Sequence, residues 1–159
     1  MNNVEINIKF LDNNKEQKVP FYASSGAAGM DLTACLEESV TLKPLERALI
    51  PTGIAISLPS EKYGAFLFAR SGLASKHGIT LANCVGVVDS DYTGEIKVAL
   101  VNLSNSEYTI ENGERIAQMV INQYKKAEFE LVEEKYYISS TIYDVINMTM
   151  AKKSEKNLE

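Results

Sequence analysis

The stretch Asn83-Cys84-Val85-Gly86-Val87-Val88-Asp89-Ser90-Asp91-Tyr92-Thr93-Gly94-Glu95-Ile96 gathers carboxylates, an aromatic ring and two glycines into one short segment. Apolar residues run into it (Val85, Val87, Val88) and out of it (Ile96, Val98, Leu100), largely with the period of two that marks half-buried strands. The pattern predicts a β-hairpin with a polar tip. Asp89 and Tyr92 are then positioned groups, held by a rigid ribbon.

Outward from this segment the chain continues in short β-like runs. Val4-Glu5-Ile6-Asn7-Ile8-Lys9-Phe10 alternates strictly and predicts a strand buried on one face. Further strands are expected at Val40–Leu42, Ala48–Ile50, Ile54–Leu58, Ala65–Phe68, Val85–Val88, Ile96–Leu103, Tyr108–Ile110, Ile116–Ile121 and Phe129–Val132. Gly, Pro, Asn or charged residues separate most of them. Only Gly72–Lys76 and Ile142–Met150 read easily as helix. Many short strands at even spacing indicate an all-β sandwich, barrel or jelly roll.

The size and composition fit one domain: 159 residues, 45% of them apolar. A net charge of −5 argues against a general nucleic-acid surface, which carries basic patches. No apolar run approaches the roughly 20 residues that span a bilayer, so no membrane partner is expected. Cys35 and Cys84 have no CxxC spacing, which suggests neither zinc nor a disulfide framework. A reduced, cytoplasmic setting is the expectation. The last third differs in composition: Gly113 is the final glycine and Arg115 the final arginine. The expected division is a β domain over 1–134 and a C-terminal arm or tail over 135–159, in which Ile142–Met150 carries an apolar stripe and Lys152–Glu159 is charged.

Four segments carry candidate chemistry. Gly26-Ala27-Ala28-Gly29-Met30-Asp31-Leu32 reads either as a glycine-rich turn entering a strand or as a close backbone approach beside a carboxylate. Ala69-Arg70-Ser71-Gly72-Leu73-Ala74 is a strand end feeding a helical turn. It offers a positive charge, a hydroxyl and free N–H groups to an anion, or else it is a Ser-capped turn with an exposed arginine. In the central segment, Asp89 and Asp91 stand two apart. On a regular strand they would share a face and invite a cation, whereas a turn would split them and make Asp91 a turn-former. Asp89, beside the apolar pair Val87 and Val88, is partly withdrawn from water and is the better general-base candidate. Tyr92 is either hairpin packing or a ring for a sugar. In Gly113-Glu114-Arg115-Ile116-Ala117-Gln118-Met119-Val120, Gln118 sits among apolar neighbours, and its amide needs a phosphate or a backbone partner. The lone His77 has no ligand-spaced companion and reads as surface or turn.

Ala28 through Leu32, Arg70 through Ala74, Asn83 through Ile96 and Arg115 through Gln118, in this order and spacing, resemble the first four motifs of the trimeric dUTP nucleotidohydrolases, over roughly residues 4 to 134. The resemblance implies a jelly-roll or distorted-barrel subunit, a homotrimer with sites at subunit boundaries, and Mg²⁺-dependent hydrolysis of dUTP to dUMP and pyrophosphate. Asp89 matches the family's general base. Asn83 matches the amide that reads uracil, with backbone groups around Gly86, Val87, Val88 and Lys97. Tyr92 matches the ring under the deoxyribose, where a ribose 2′-hydroxyl has no room. Arg70, Ser71, Gly72 and Gln118 match phosphate contacts, and Asp31 matches a carboxylate that supports the metal through water.

The chain departs from the family at two places. Ala69 stands where many members carry proline. After Val132 nothing matches the usual fifth motif, an arginine followed by a glycine-rich lid with a stacking aromatic. A tail with neither Gly nor Arg cannot form that lid, so Tyr136, Tyr137 or Tyr143 supplies the ring, or the arm packs on a neighbouring subunit, or the chain binds dUTP without efficient turnover. The related dCTP deaminases share the fold, but their acidic group after the hairpin has no counterpart in Ile96-Lys97-Val98-Ala99-Leu100.

Overall fold

The computed structural model describes residues 3–11 and 18–131. The expected helix and packing stripe at Ile142–Met150 and the three tail tyrosines lie outside them. The strands in chain order are β1 (Asn7–Phe10), β2 (Phe21–Tyr22), β3 (Met30–Thr33), β4 (Val40–Leu42), β5 (Arg47–Pro51), β6 (Ile54–Ser57) and β7 (Tyr63–Ala69). Helix α1 (Ser71–His77) follows. Then come β8 (Ile79–Leu81), β9 (Gly86–Val88), β10 (Lys97–Asn102), β11 (Tyr108–Ile110) and β12 (Arg115–Gln123). The chain forms two compact units, Met1–Lys125 and Lys126–Glu159.

Four ladders build the first unit. A five-stranded sheet runs β2-β3-β12-β7-β9, a three-stranded sheet runs β5-β10-β8, and β1-β6 and β11-β4 form pairs. All pairings are antiparallel. Period-two burial explains why these segments are strands. In β10, Val98 and Leu100 face inward while Lys97 faces out, and in β7 Ala65 and Leu67 are buried between Phe66 and Phe68. The core gathers Leu32, Ile50, Val98, Leu100, Ile116 and Met119 from both larger sheets, with Ile54 of β6 and Ile110 of β11 from the two pairs. Burying each such Leu or Ile contributes about 1.5–3 kcal/mol. Helix α1 follows β7 directly and ends where Gly78, at φ 69°, closes it with an N–H bond to the Ala74 carbonyl.

Several expectations are corrected. The flanks of the central segment do not pair with each other. β9 hydrogen-bonds to β7, and β10 lies in the other sheet between β5 and β8. Local alternation announces two strands but cannot name their partners. The segment is a bridge between sheets rather than a hairpin. β1 begins at Asn7, and its Ile8 and Phe10 are exposed, because it pairs only with β6 at a sheet edge. Phe129–Leu131 is not a strand, and both apolar side chains stand 96% exposed. β2 and β8 are not among the expected strands; β2, with two residues, is too short for a periodic signal.

Candidate functional site

The bridge between the sheets is shaped by its backbone. Cys84 takes a left-handed φ of 62°, and its N–H bonds to the Leu81 carbonyl, which turns the chain sharply out of β8. β9 then runs beside β7 with Gly86 opposite Leu67. A Cβ at Gly86 would stand 2.9 Å from that of Leu67, so only glycine permits this approach. The next turn is closed by the Tyr92 N–H on the Asp89 carbonyl. Asp91 therefore sits inside a turn and does not share a strand face with Asp89, which settles the open alternative in favour of the turn.

A cleft of about 290 Å³ opens along this bridge. Its walls include Asn83, Gly86, Val87, Val88, Asp89, Tyr92 and Lys97. Those are all seven candidate residues of the central motif. Leu49, Leu67, Leu81 and Ala99 supply an apolar floor. This combination of apolar surface and a few convergent polar groups is typical of small-molecule sites. One expectation fails here: Asp89 is exposed in the single chain, because β9 alternation buries Val88 but turns Val87 outward at 63% exposure. The Tyr92 hydroxyl donates to the Glu95 carbonyl at 2.9 Å, and the ring lies over Gly94.

A second constellation forms where β3, β12 and the start of α1 meet. Asp31, 1% exposed, receives Nε of Arg70 at 3.0 Å on one oxygen and Nη1 of Arg115 at 3.0 Å on the other. Arg70 also donates to the Arg115 carbonyl at 3.2 Å. Gln118 lies opposite Asp31 in the ladder, with Nε2 3.4 Å from the carboxylate. Gly29 makes room for it, since a Cβ there would stand 3.2 Å from that of Gln118. The cluster thus holds two cations around one anion, with a surplus positive charge and an amide at its edge. Ser71 and Gly72 open α1 beside it, and both are exposed. Arg70 is the N-cap and no side chain caps the helix, so the Ser-capped alternative does not hold.

Arg115 was not among the expected site residues. In an unbroken strand it points away from Gln118, three positions on. The β3–β12 register shifts between Arg115 and Ala117, and the additional residue inverts the alternation, so both side chains reach Asp31. No sequence signal marks that shift.

The cleft and the cluster are separate in one chain. Among the described residues, no hydrogen bond or ion pair joins them, and the cleft walls include none of Asp31, Arg70, Arg115 or Gln118. No group of three or more His, Cys, Asp or Glu side chains among the described residues could hold a metal ion. Likewise no described helix is long and apolar enough to cross a membrane.

The chain is similar to known proteins in sequence and fold. The sequence pattern of the dUTPase family matches residues 15–141. A deoxyuridine 5′-triphosphate nucleotidohydrolase of Finegoldia magna is 57% identical over 121 residues, covering 76% of this chain and 84% of that protein. One from Neisseria meningitidis serogroup A is 52% identical over 132 residues, covering 83% and 88%. Among solved structures, a variant of the Staphylococcus bacteriophage 80alpha dUTPase with dUpNHpp aligns with TM-score 0.74 at 29% identity, covering 86% of this chain and 92% of that one. A variant dUTPase from phage phi11 of S. aureus, described for its coordination of a structural Mg(II) ion, aligns with TM-score 0.72 at 26% identity, covering 83% and 99%. The shared fold is the all-β, jelly-roll-like one of these neighbours. This chain belongs to the dUTPase family.

Proposed function

We propose that the protein hydrolyses dUTP to dUMP and pyrophosphate, with Asp89 as general base and Mg²⁺ as cofactor. The observation that carries this reading is the cleft: all seven candidate residues of the central motif line one pocket, the carboxylate of Asp89 among them. In this reading Asn83 and the backbone of Gly86, Val87, Val88 and Lys97 hold the uracil edge, and Tyr92 lies against the deoxyribose. Asp89 takes a proton from water as the water oxygen bonds to the α-phosphorus. The bond from that phosphorus to the bridging oxygen then breaks and pyrophosphate leaves. A base of this kind contributes about 10²–10⁴-fold.

Arg70, Arg115, Ser71, Gly72 and Gln118 form the triphosphate-binding half. Mg²⁺ would be carried mainly by the substrate's phosphates, since these groups donate to anions rather than ligate metals and Mg²⁺ retains waters readily. When bound it neutralises phosphate charge. Asp31 already accepts from guanidinium groups on both oxygens, so its support of the metal runs through water. The separation of cleft and phosphate cluster supports a homotrimer in which one copy's cluster completes another copy's cleft. That arrangement also covers the exposed Asp89 and withdraws it from water.

The test is pyrophosphate release from dUTP with Mg²⁺, beside UTP, dCTP and dTTP and the Asp89→Asn variant. Selective release from dUTP, reduced at least a hundredfold in the variant, is expected. Binding of dUTP to the folded protein without release would leave a non-catalytic dUTP-binding protein, the reading that the tail without Gly or Arg favours.

A further inference from the structure

Glu95 takes no part in the steps above, yet it ties Tyr92 to the neighbouring β5–β6 turn and to Lys97 through three of its own atoms. Its backbone carbonyl accepts from the Tyr92 hydroxyl at 2.9 Å. Its Oε1 accepts from the Gly53 N–H at 2.9 Å, and its Oε2 lies 3.4 Å from Nζ of Lys97. Gly53 sits in the tight β5–β6 turn at φ 71°, next to the 3% exposed Thr52, whose hydroxyl donates to the Ile96 carbonyl. The Ile96 N–H in turn bonds to the Ile54 carbonyl. Residues 95 and 96 are therefore fastened to 52–54 at each step.

The Tyr92 ring has little freedom against this anchor. A Cβ at Gly94 would stand 2.6 Å from the Tyr92 hydroxyl and 2.8 Å from Cζ, so the ring lies directly on the glycine. Its hydroxyl is held by a carbonyl that Glu95's own side chain fixes to a neighbouring turn. Tyr92 is 47% exposed, and the packing around it leaves the ring to these contacts for its orientation.

We propose that Glu95 is a positioning residue that sets the Tyr92 ring, and through it the preference for a 2′-deoxy over a 2′-hydroxy sugar. The inference rests on the reading that Tyr92 lies against the deoxyribose. It assigns specificity to a residue of the cleft wall whose carboxylate is engaged by Gly53 and Lys97. The ion pair with Lys97 is half-exposed and, at 3.4 Å to a solvated lysine, contributes little; the Gly53 bond is the working contact. A glutamine can still accept from Gly53, whereas an alanine cannot and an aspartate is one methylene too short.

The experiment measures Kd for dUMP and for UMP by calorimetry on the full chain, without metal or turnover. In the wild type dUMP binds more tightly. Glu95→Ala lowers the ratio of the two constants at least tenfold, and Glu95→Gln stays within about threefold of wild type. Should the alanine variant not fold, Glu95→Asp is read instead, with a loss of fivefold or more. Gly94→Ala, which displaces the ring directly, lowers the ratio as well. A folded Glu95→Ala or Glu95→Asp with an unchanged ratio overturns the inference while leaving the proposed function intact. A wild type that binds neither nucleotide, or both equally, overturns the sugar assignment and this inference together. Loss of stability alone does not move the ratio, so a purely structural Glu95 is distinguished.

Discussion

Replacing Asp31 by asparagine tests the phosphate half of the site most directly. The change keeps one oxygen and substitutes an NH₂ for the other, so a donor faces a guanidinium donor where an anion stood 3.0 Å away. It also leaves Arg70 and Arg115 adjacent with no charge between them. A charge-assisted hydrogen bond contributes about 1.5–3 kcal/mol, and removing one member of a buried pair costs about 3–5 kcal/mol. Here the carboxylate is 1% exposed, but the Arg70 and Arg115 side chains are 23% and 46% exposed, so water recovers part of the loss. The expected cost is about 2–4 kcal/mol. At about 2–4 °C per kcal/mol for a chain of this size, the melting temperature falls by roughly 6–12 °C for the middle of that range. Urea unfolding at a fixed protomer concentration, with the m-value checked, measures it. The same variant separates two roles of Asp31. As an anchor of the guanidinium groups, its loss raises KM for dUTP about tenfold; as a water-mediated support of the metal, its loss also raises the Mg²⁺ concentration for half-maximal rate. A variant within 0.5 kcal/mol of wild type refutes the anchoring argument. A shifted Mg²⁺ requirement with unaltered stability refutes it too.

Two further outcomes follow from single buried or half-buried groups. Asn102, fully buried, donates to the Leu42 and Ser106 carbonyls at 2.8 and 2.7 Å and accepts from the N–H and hydroxyl of Ser104. Asn102→Ala strands those groups and costs about 2–4 kcal/mol, read from urea midpoints. Burial, reinforced by the hydrogen bond to Glu114, pushes the Tyr108 hydroxyl up from 10.0 to about 12. Because the folded value exceeds the unfolded one, this stabilisation is fully present below pH 10 and is lost as pH rises toward 12. Tyr108→Phe removes that loss, so thermal scans between pH 10 and 11.5 show a shallower decline than in wild type.

The parts of this protein that sequence reading reached are those set by local chemistry. Alternation marked β7, β10 and β12 within a few residues, and Arg70 through Lys76 announced a strand end and a helix where β7 passes into α1. What it missed is set by partners distant in the chain. The strands flanking Asp89 looked like a hairpin because each has the right pattern, but Gly86 allows β9 to press on β7 instead. Arg115 was not among the expected site residues because parity along an unbroken β12 puts it on the face opposite Gln118, and the register shift opposite β3 is invisible until both strands are in place. The exposure of β1 is a third case: alternation states that one face is apolar, not that anything in the same chain covers it.

The error over the hairpin nevertheless left the site residues together, and the reason is physical. Asp89 and Tyr92 are fixed relative to each other by a single turn hydrogen bond, the Tyr92 N–H on the Asp89 carbonyl, which does not depend on which strand β9 pairs with. Placing the two ends in different sheets adds a constraint that a hairpin lacks. β7 and β9 hold the Val88 side, while Thr52, Gly53 and Ile54 hold the Glu95–Ile96 side. A free hairpin tip could swing about its own ladder. A loop strung between two sheets that share one core cannot do so without disturbing Ile54, Val88 or Ile96, all of them in that core. The topology that defeated the sequence pattern therefore gives the cleft more rigidity than the expected hairpin would have, and preorganisation of this kind is what positioning a base and a sugar ring requires.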